Sequence, residues 1–414
     1  MADGECVMRS INDQSCDLLV VGGGLVGLAL ARAAAHAGLD VLIVDREAPK
    51  QAVSNVFDGR VSSIARGSAN MLNHLGVWDL IREDAQPIKE IRVTDDGSPF
   101  FLHYASRDVG NGPMGYILEN RILRRALQAA VEQDPRIAWR TQIEVEEIEC
   151  GIYGVCAQLS DGSTANSPLV AAADGRDSVL RTKAGINVIN RSYGQVGIVC
   201  TVAHSLPHGA IAHERFLSAG PFAILPMTGN RSSLVWTERP EVASTILKLG
   251  TSDFLGELAW RFGDFLGQLK VVSPRWQYPL ELTMAERLIA GRLALVGDAA
   301  HAIHPIAGQG LNLGLRDAAA LAEVVSNAYQ LGMDIGEATV LENYGRWRRF
   351  DGLAMAAVTD SLNRLFSNDI VPLREIRSIG LATVNKLPIL KAIFQRHAMG
   401  VLGHLPKLLQ DSAI

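Results

Sequence analysis

A chain of 414 residues, 48% apolar and 20% charged, can bury a large core and is neither disordered nor fibrous. Its formal charge of -5 gives no general attraction to nucleic acid or to an anionic membrane, so any such contact needs a local patch. The five cysteines, Cys6, Cys16, Cys150, Cys156 and Cys200, form no C-x-x-C pair and sit at no metal-ligand spacing, which fits reduced thiols in a cytoplasm.

The first sixteen residues mix acids with apolar residues, unlike a secretory signal. No run of about 18 apolar residues follows that would span a bilayer. Asp17 to Val21 reads as a short strand buried on both faces, ended by the glycines at 22 to 24. Leu25 to Ala37, with Gly38 behind it, reads as a helix, and Val41 to Val44 as the next strand, which together make a βαβ unit. Ile88 to Tyr104 predicts a hairpin, and Asn120 to Glu132 an amphipathic helix. Val155 to Leu159 and Leu169 to Ala173 read as β segments on either side of a turn at Asp161 and Gly162. Between about 195 and 280, short strands punctuated by Gly and Pro predict an antiparallel sheet, interrupted by a helix near 253 to 269. Leu293 to Val296 is one more strand, Leu311 to Leu331 a long Ala-rich helix, and the pattern from about 338 is helical to the end.

Three motifs carry chemistry. Gly22, Gly24 and Gly27 form G-x-G-x-x-G between a strand and a helix, where glycine allows a tight turn and close approach of backbone to a pyrophosphate. Asp45 ends the next strand, where a carboxylate can accept hydrogen bonds from a ribose hydroxyl. The pair points to an adenine dinucleotide without separating FAD from NAD. Asp174-Gly175-Arg176, with Ser178 and Arg181 behind it, closes another β segment; taken alone it reads as a turn. The third motif runs from Arg292 through Gly297-Asp298 and His301 to His304-Pro305, then Gly308-Gln309-Gly310, Asn312 and Asp317. It sets a carboxylate at a strand end and a helix N-terminus behind a glycine turn, an arrangement suited to a polyol hydroxyl and an electron-rich ring. His301 and His304 have no evident third ligand and read as structural or hydrogen-bonding groups rather than metal ligands.

The three motifs, in this order and spacing, resemble the class A flavoprotein monooxygenases, and His304 to Asp317 resembles the signature of the ubiquinone-biosynthesis hydroxylases. Asp58-Gly-Arg60 is similar to a segment that lies near the flavin in that branch. The likeness extends from Asp17 through Tyr344 to Phe350, with Asp45 standing where relatives mostly carry Glu. The resemblance implies an α/β fold: a Rossmann-like FAD-binding domain (residues 1–75, 105–185 and 285–345), an inserted antiparallel-sheet substrate domain (76–104 and 186–284) and a helical C-terminal region (346–414). It implies an FAD-dependent ring hydroxylase that takes electrons from NADH or NADPH and inserts one atom of O2 into a polyprenylated aromatic through a flavin C4a-hydroperoxide, with no acid-base triad. Carried over by position, Gly22, Gly24, Gly27, Asp45 and Arg46 hold the ADP part. Arg60 and Arg121 lie near the pyrophosphate or flavin, Asp174 serves FAD and nicotinamide, and Gly297 and Asp298 bind the pyrophosphate or ribityl region. Pro305, Gly308, Gly310 and Asn312 stand beside the isoalloxazine, and Phe222, Trp236 and Tyr278 are candidates to face the substrate ring.

From Arg374 onward six basic residues stand against two acidic ones, and Leu387, Leu390, Ile393 and Phe394 recur at helical spacing beside Lys386, Lys391 and Arg396. This stretch reads either as an interfacial helix resting peripherally on an anionic inner membrane or as an ordinary helix packed on the FAD domain. A monooxygenase acting on a soluble aromatic, a flavin dehydrogenase without oxygen transfer, and a non-catalytic scaffold of a ubiquinone-biosynthesis complex are the competing functions.

Overall fold

The computed structural model describes residues 14–48, 57, 59–95, 101–108, 110, 112–303, 308–366, 387–401 and 403–411. Cys6, Asp58, His304, Pro305 and Lys386 lie outside them, and among the described residues Cys16, Cys150, Cys156 and Cys200 form no disulfide.

The strands Leu18–Val21, Val41–Asp45, Leu169–Ala172 and Leu293–Leu295 are buried along their whole length, as their unbroken apolar sequences require of a sheet covered on both faces. They belong to a six-stranded sheet. In order it runs Ile289–Ala290, Leu293–Leu295, Leu169–Ala172, Leu18–Val21, Val41–Asp45, Ile137–Thr141, parallel throughout except for the first pair. Register decides where the site lies. Val21 pairs with Ala172, and Ala172 with Leu295, so the turns beginning at Gly22, Ala173 and Val296 leave the same end of three adjacent strands. The helix Leu25–His36 is the crossover between the first two sequential strands, and Gly310–Gln330 packs against it. Both contact faces are mostly Ala and Gly, which lets the two helices approach closely over the sheet.

A nine-stranded sheet, centred on the 17-residue strand Val188–His204, stands beside it. One face is covered by the helices Pro240–Lys248 and Thr251–Phe262, which with Ile198, Phe222, Leu234 and Trp236 form a separate core. The other face carries Leu102, Tyr104, Ala212, Phe216 and Met227, and packs on a small sheet made of Val61–Ala65, Gln86–Ile88 and Gly115–Glu119.

Several expectations change in detail. The sheet is not wholly antiparallel: Ile211–Leu217 pairs in parallel with Glu90–Asp95, because the hairpin Glu90–Asp95/Phe101–Ala105 joins the sheet edge from elsewhere in the chain. The helix expected near 253 to 269 spans Thr251–Phe262 and is preceded by Pro240–Lys248, whose start is set by Pro240 in the first turn. Beyond 338 the chain is helical over Ala338–Phe366 and Pro388–Ala398. It then turns at Gly400 and Gly403 and ends its described part in the short 3-10 turn Lys407–Leu409, so the C-terminal stretch is not helical to the end.

Candidate active site

At the first turn, Gly22 has φ +108°, and a Cβ there would meet the Ala173 carbonyl oxygen at 2.3 Å; one on Gly27 would meet the Gly22 carbonyl oxygen at 2.0 Å. Gly24 is the opposite case: a Cβ there would meet nothing within 4 Å, and the helix beginning at Leu25 has no side-chain cap. Two glycines are therefore demanded by the protein's own packing, while the third stands before open space at uncapped backbone N–H groups, which is what a pyrophosphate needs. Gly23, unexplained by the motif, lies under Asp45, since a Cβ there would be 2.4 Å from the Asp45 Oδ2. Asp45 is nearly buried, and burial raises its carboxyl pKa against the opposing hydrogen bond from the Glu47 N–H and the charge of Arg124. Arg46 is exposed just beyond it. Arg124, whose charge acts on Asp45, is a cation that the motifs do not contain; its place three residues along the helix Asn120–Glu132 from Arg121 is the available signal.

Asp174 leaves the central strand with Oδ2 accepting the Leu180 N–H at 3.3 Å, while Oδ1 is buried without a partner among the described residues. Gly175 beside it faces open space. A buried acceptor without a donor is costly, so a hydroxyl-bearing ligand at this turn has a ready place. The second and third motifs are tied together by Arg181, whose guanidinium donates to the Ala299 carbonyl at 2.9 Å and the Arg176 carbonyl at 2.8 Å.

In the third motif Gly297 takes φ +63° and donates its N–H to the Asp317 Oδ2 at 3.0 Å. Asp317 has no exposed surface. His301 Nε2 lies 2.6 Å from its Oδ2, in an ionic contact too bent for a hydrogen bond, and Arg348 Nε donates to its Oδ1 at 2.7 Å. Burial opposes ionisation of Asp317, but the His301 and Arg348 charges prevail and hold its pKa below the ordinary value. Asp298 next to Gly297 is reached by solvent yet ringed by protein mass, and this desolvation raises its carboxyl pKa despite His301 and Arg176. Such a combination marks a carboxyl lining a cleft. Asn312 is fully engaged: its Oδ1 accepts the Ala65 N–H at 2.8 Å and its Nδ2 donates to the Ser63 and Gly308 carbonyls. It stitches the strand Val61–Ala65 to the start of the helix Gly310–Gln330. Gly308 fits tightly over Ser63, whereas Gly310 faces open space.

Arg60 is exposed at the start of that strand, and its carbonyl accepts the Asn120 N–H. Arg121 donates to Glu119 at 2.7 Å, and Arg231 from the nine-stranded sheet donates to the same carboxylate at 3.2 Å, with both guanidinium groups within about 6 Å of the Phe57 ring. Glu119 and Arg231 were not foreseen; only the register of two separate sheets brings them together. Among the described residues no group of His, Cys, Asp or Glu is placed to hold a metal ion.

Of the candidate ring-facing aromatics, two are misplaced. Directly opposed residues of a sheet share a face, and Phe222 pairs with Trp236, which pairs with Ile198; all three point into the core under the two helices. Tyr278 pairs with Gly197 on the other face, toward the small sheet and Phe57.

Three turns leaving adjacent strand ends, with a second sheet packed beside them, give the layout of a dinucleotide-binding oxidoreductase. Residues 15–356 match the FAD binding domain family. The ubiquinone hydroxylase UbiL of Rhodospirillum rubrum is 48% identical over 390 residues, covering 94% of this chain and 91% of that protein. The 3-demethoxyubiquinol 3-hydroxylase of Escherichia coli is 31% identical over 393 residues, covering 94% and 100%. Among solved structures, p-nitrophenol 4-monooxygenase PnpA from Pseudomonas putida shares the fold with a TM-score of 0.77 at 21% identity, over 94% of this chain and 98% of that one. The chain belongs to the FAD-dependent monooxygenases, in the family that includes the ubiquinone hydroxylases.

Proposed function

We propose that this enzyme hydroxylates the aromatic ring of a polyprenylated ubiquinone precursor, with electrons from NADH or NADPH. Its 48% identity to UbiL over nearly the whole of both chains carries the substrate class. The three converging turns carry the cofactor. Bound FAD supplies the redox chemistry, activation of O2 included. The protein's part is to hold and to shield. Gly22, Gly24 and Gly27 seat the pyrophosphate, Asp45 and Arg124 take the ribose and adenosine side, with Arg46 beyond, and Asp174 with Asp298 accept hydrogen bonds from the polyol. Gly297, Gly308, Gly310 and Asn312 shape the backbone at the ring, with Pro305 in the segment between, while Arg60 and Arg121 lie at the domain junction. Apolar side chains on the facing sheet, among them Val93, Phe216, Leu225 and Met227, exclude water from that space.

Among the described residues no helix is long and apolar enough to cross a membrane. The helix Pro388–Ala398 docks on the body through buried Gln395, which donates to the Ala105 carbonyl, and through Lys391, which pairs with Asp108. Its exposed Phe394, with Leu387 before it and Arg396 beside it, is the surface we assign to peripheral contact with the bilayer that holds the substrate; assembly with other enzymes of the same biosynthesis fits this placement. The test is rescue of bacterial strains each lacking one ubiquinone ring hydroxylase. Restoration of ubiquinone in one strain supports the reading and fixes the ring position. A yellow, NADH-oxidising protein that rescues none moves the substrate to a soluble aromatic.

A further inference from the structure

Glu214 lies in the middle of the nine-stranded sheet, on a strand hydrogen-bonded on both sides, opposite Ala223 on one neighbour and Val93 on the other. Following the register, Ala223 opposes Val235, Val235 opposes Val199, and Val199 opposes Trp276. Glu214 is thus the acid of an otherwise apolar patch, on the same face as Ala212 and Phe216, which pack with Phe57 and Val61 beside the flavin segment. Among the described residues its carboxyl has no hydrogen-bond or ion-pair partner, yet the residue is partly accessible. Both flanking strands are paired, so the side chain leaves the sheet on the face opposite the two covering helices, the face that carries Ala212, Phe216 and Met227 beside Phe57 and Val61. A carboxyl kept out of bulk water without a partner in the protein is set there for a partner that the protein does not supply.

We propose that Glu214 hydrogen-bonds the ring hydroxyl of the aromatic substrate and takes its proton as oxygen is transferred, an inference that rests on the hydroxylase reading above. The phenolic O–H bond breaks, its electron pair stays on oxygen and enriches the ring toward an electrophilic oxygen, and the proton forms a carboxyl O–H bond on Glu214. The ring carbon forms its new C–O bond to one atom of O2 as the O–O bond breaks, and the other atom leaves as water, the two electrons coming from NADH; that carbon then loses its C–H proton to solvent as the ring becomes aromatic again, and Glu214 returns its proton to the first oxygen. Burial alone pushes this carboxyl up to about 7, so both protonation states are available near neutrality. Among the described residues the other titratable or charged side chains on that face of the sheet are Asp95, Tyr104, Arg191, Arg231, Lys270, Tyr278 and His301, with Arg60, Glu119 and Arg121 across from them; none contributes to the rise.

The test compares wild type with E214Q and E214D as FAD holoenzymes, using NADH and a short-chain 2-prenylphenol. E214Q keeps FAD content and melts no lower than wild type but loses about 100-fold or more in hydroxylation kcat, diverts NADH oxidation to hydrogen peroxide, and loses the acid limb near neutrality in kcat/KM; E214D recovers part of the rate. A readout free of turnover is the affinity for a phenol that is not hydroxylated because NADH is withheld: wild-type binding tightens as the pH rises through about 7, where Glu214 ionises and accepts the phenolic O–H, and E214Q binding shows no such dependence. An E214Q enzyme with wild-type rate and pH profile, or a wild type whose phenol affinity does not change through that range, overturns the proposal. A wild type that shows the pH-dependent binding but hydroxylates no prenylphenol overturns the ubiquinone reading alone.

Discussion

Arg348 Nε lies 2.7 Å from Asp317 Oδ1, and neither side chain has any accessible surface. The same carboxylate accepts the Gly297 N–H, so this buried pair holds the Gly297-Asp298 turn in place from behind. Removing one partner leaves an uncompensated buried charge, at a cost of about 3–5 kcal/mol. D317N and R348M are each expected to unfold at lower denaturant and to bind FAD more weakly, and the double variant to cost less than the sum. Since Asp317 is held below its ordinary value of 3.8, its contribution is present above that pH and disappears as the pH falls through the lower folded value. D317N therefore shows a shallower acid limb in a stability-against-pH curve.

The first turn separates packing from binding. G22A places a side chain at φ +108° against a carbonyl and is expected to cost about 2 kcal/mol or more. G24A meets no protein atom, so the apoprotein should melt within a few degrees of wild type while FAD affinity falls about 10-fold or more. Thermal melts of the apoproteins and FAD titrations check both halves.

Trp236 and Tyr278 lie on opposite faces of one sheet. W236A should cost about 3–5 kcal/mol of stability and leave substrate preference alone, because the ring fills the core under the helices. Y278F should fold normally and change KM for the prenylphenol. Denaturant melts and steady-state kinetics on the two variants distinguish them.

Much of the candidate site was legible in the sequence because its residues follow strands in fixed local patterns: Gly22, Asp174 and Gly297 each sit one or two residues beyond a continuous apolar run. That these three strands are adjacent depends on pairing between segments more than a hundred residues apart, which no local pattern records. The facing pocket was less legible for the same reason. Phe222 and Trp236 alternate properly for a strand, but which parity faces the helices is decided only when Pro240–Lys248 and Thr251–Phe262 cover one side. Glu214 escaped notice because a single acid on a strand ordinarily faces water; which neighbours lie beside it is decided only by pairing with two separate segments, Gly220–Met227 and Glu90–Asp95.

Glu214 also makes a prediction for stability. Its folded value of about 7 lies above its ordinary 4.5, so the native state binds the proton more tightly. The associated stability is complete below pH 4.5 and is lost as the pH rises through about 7. E214Q, which cannot ionise, should therefore melt above wild type in alkaline buffer, with the gap closing toward pH 4.5. Parallel melting curves across that range check it.

The central claim is that the enzyme moves one atom of O2 onto an aromatic ring. Incubating the FAD holoenzyme with NADH and a 2-prenylphenol under isotopically labelled oxygen tests it most directly. The account predicts a hydroxylated product carrying one labelled oxygen atom for each product molecule. Oxidation of NADH with label only in hydrogen peroxide, or a product whose oxygen comes from water, would contradict it.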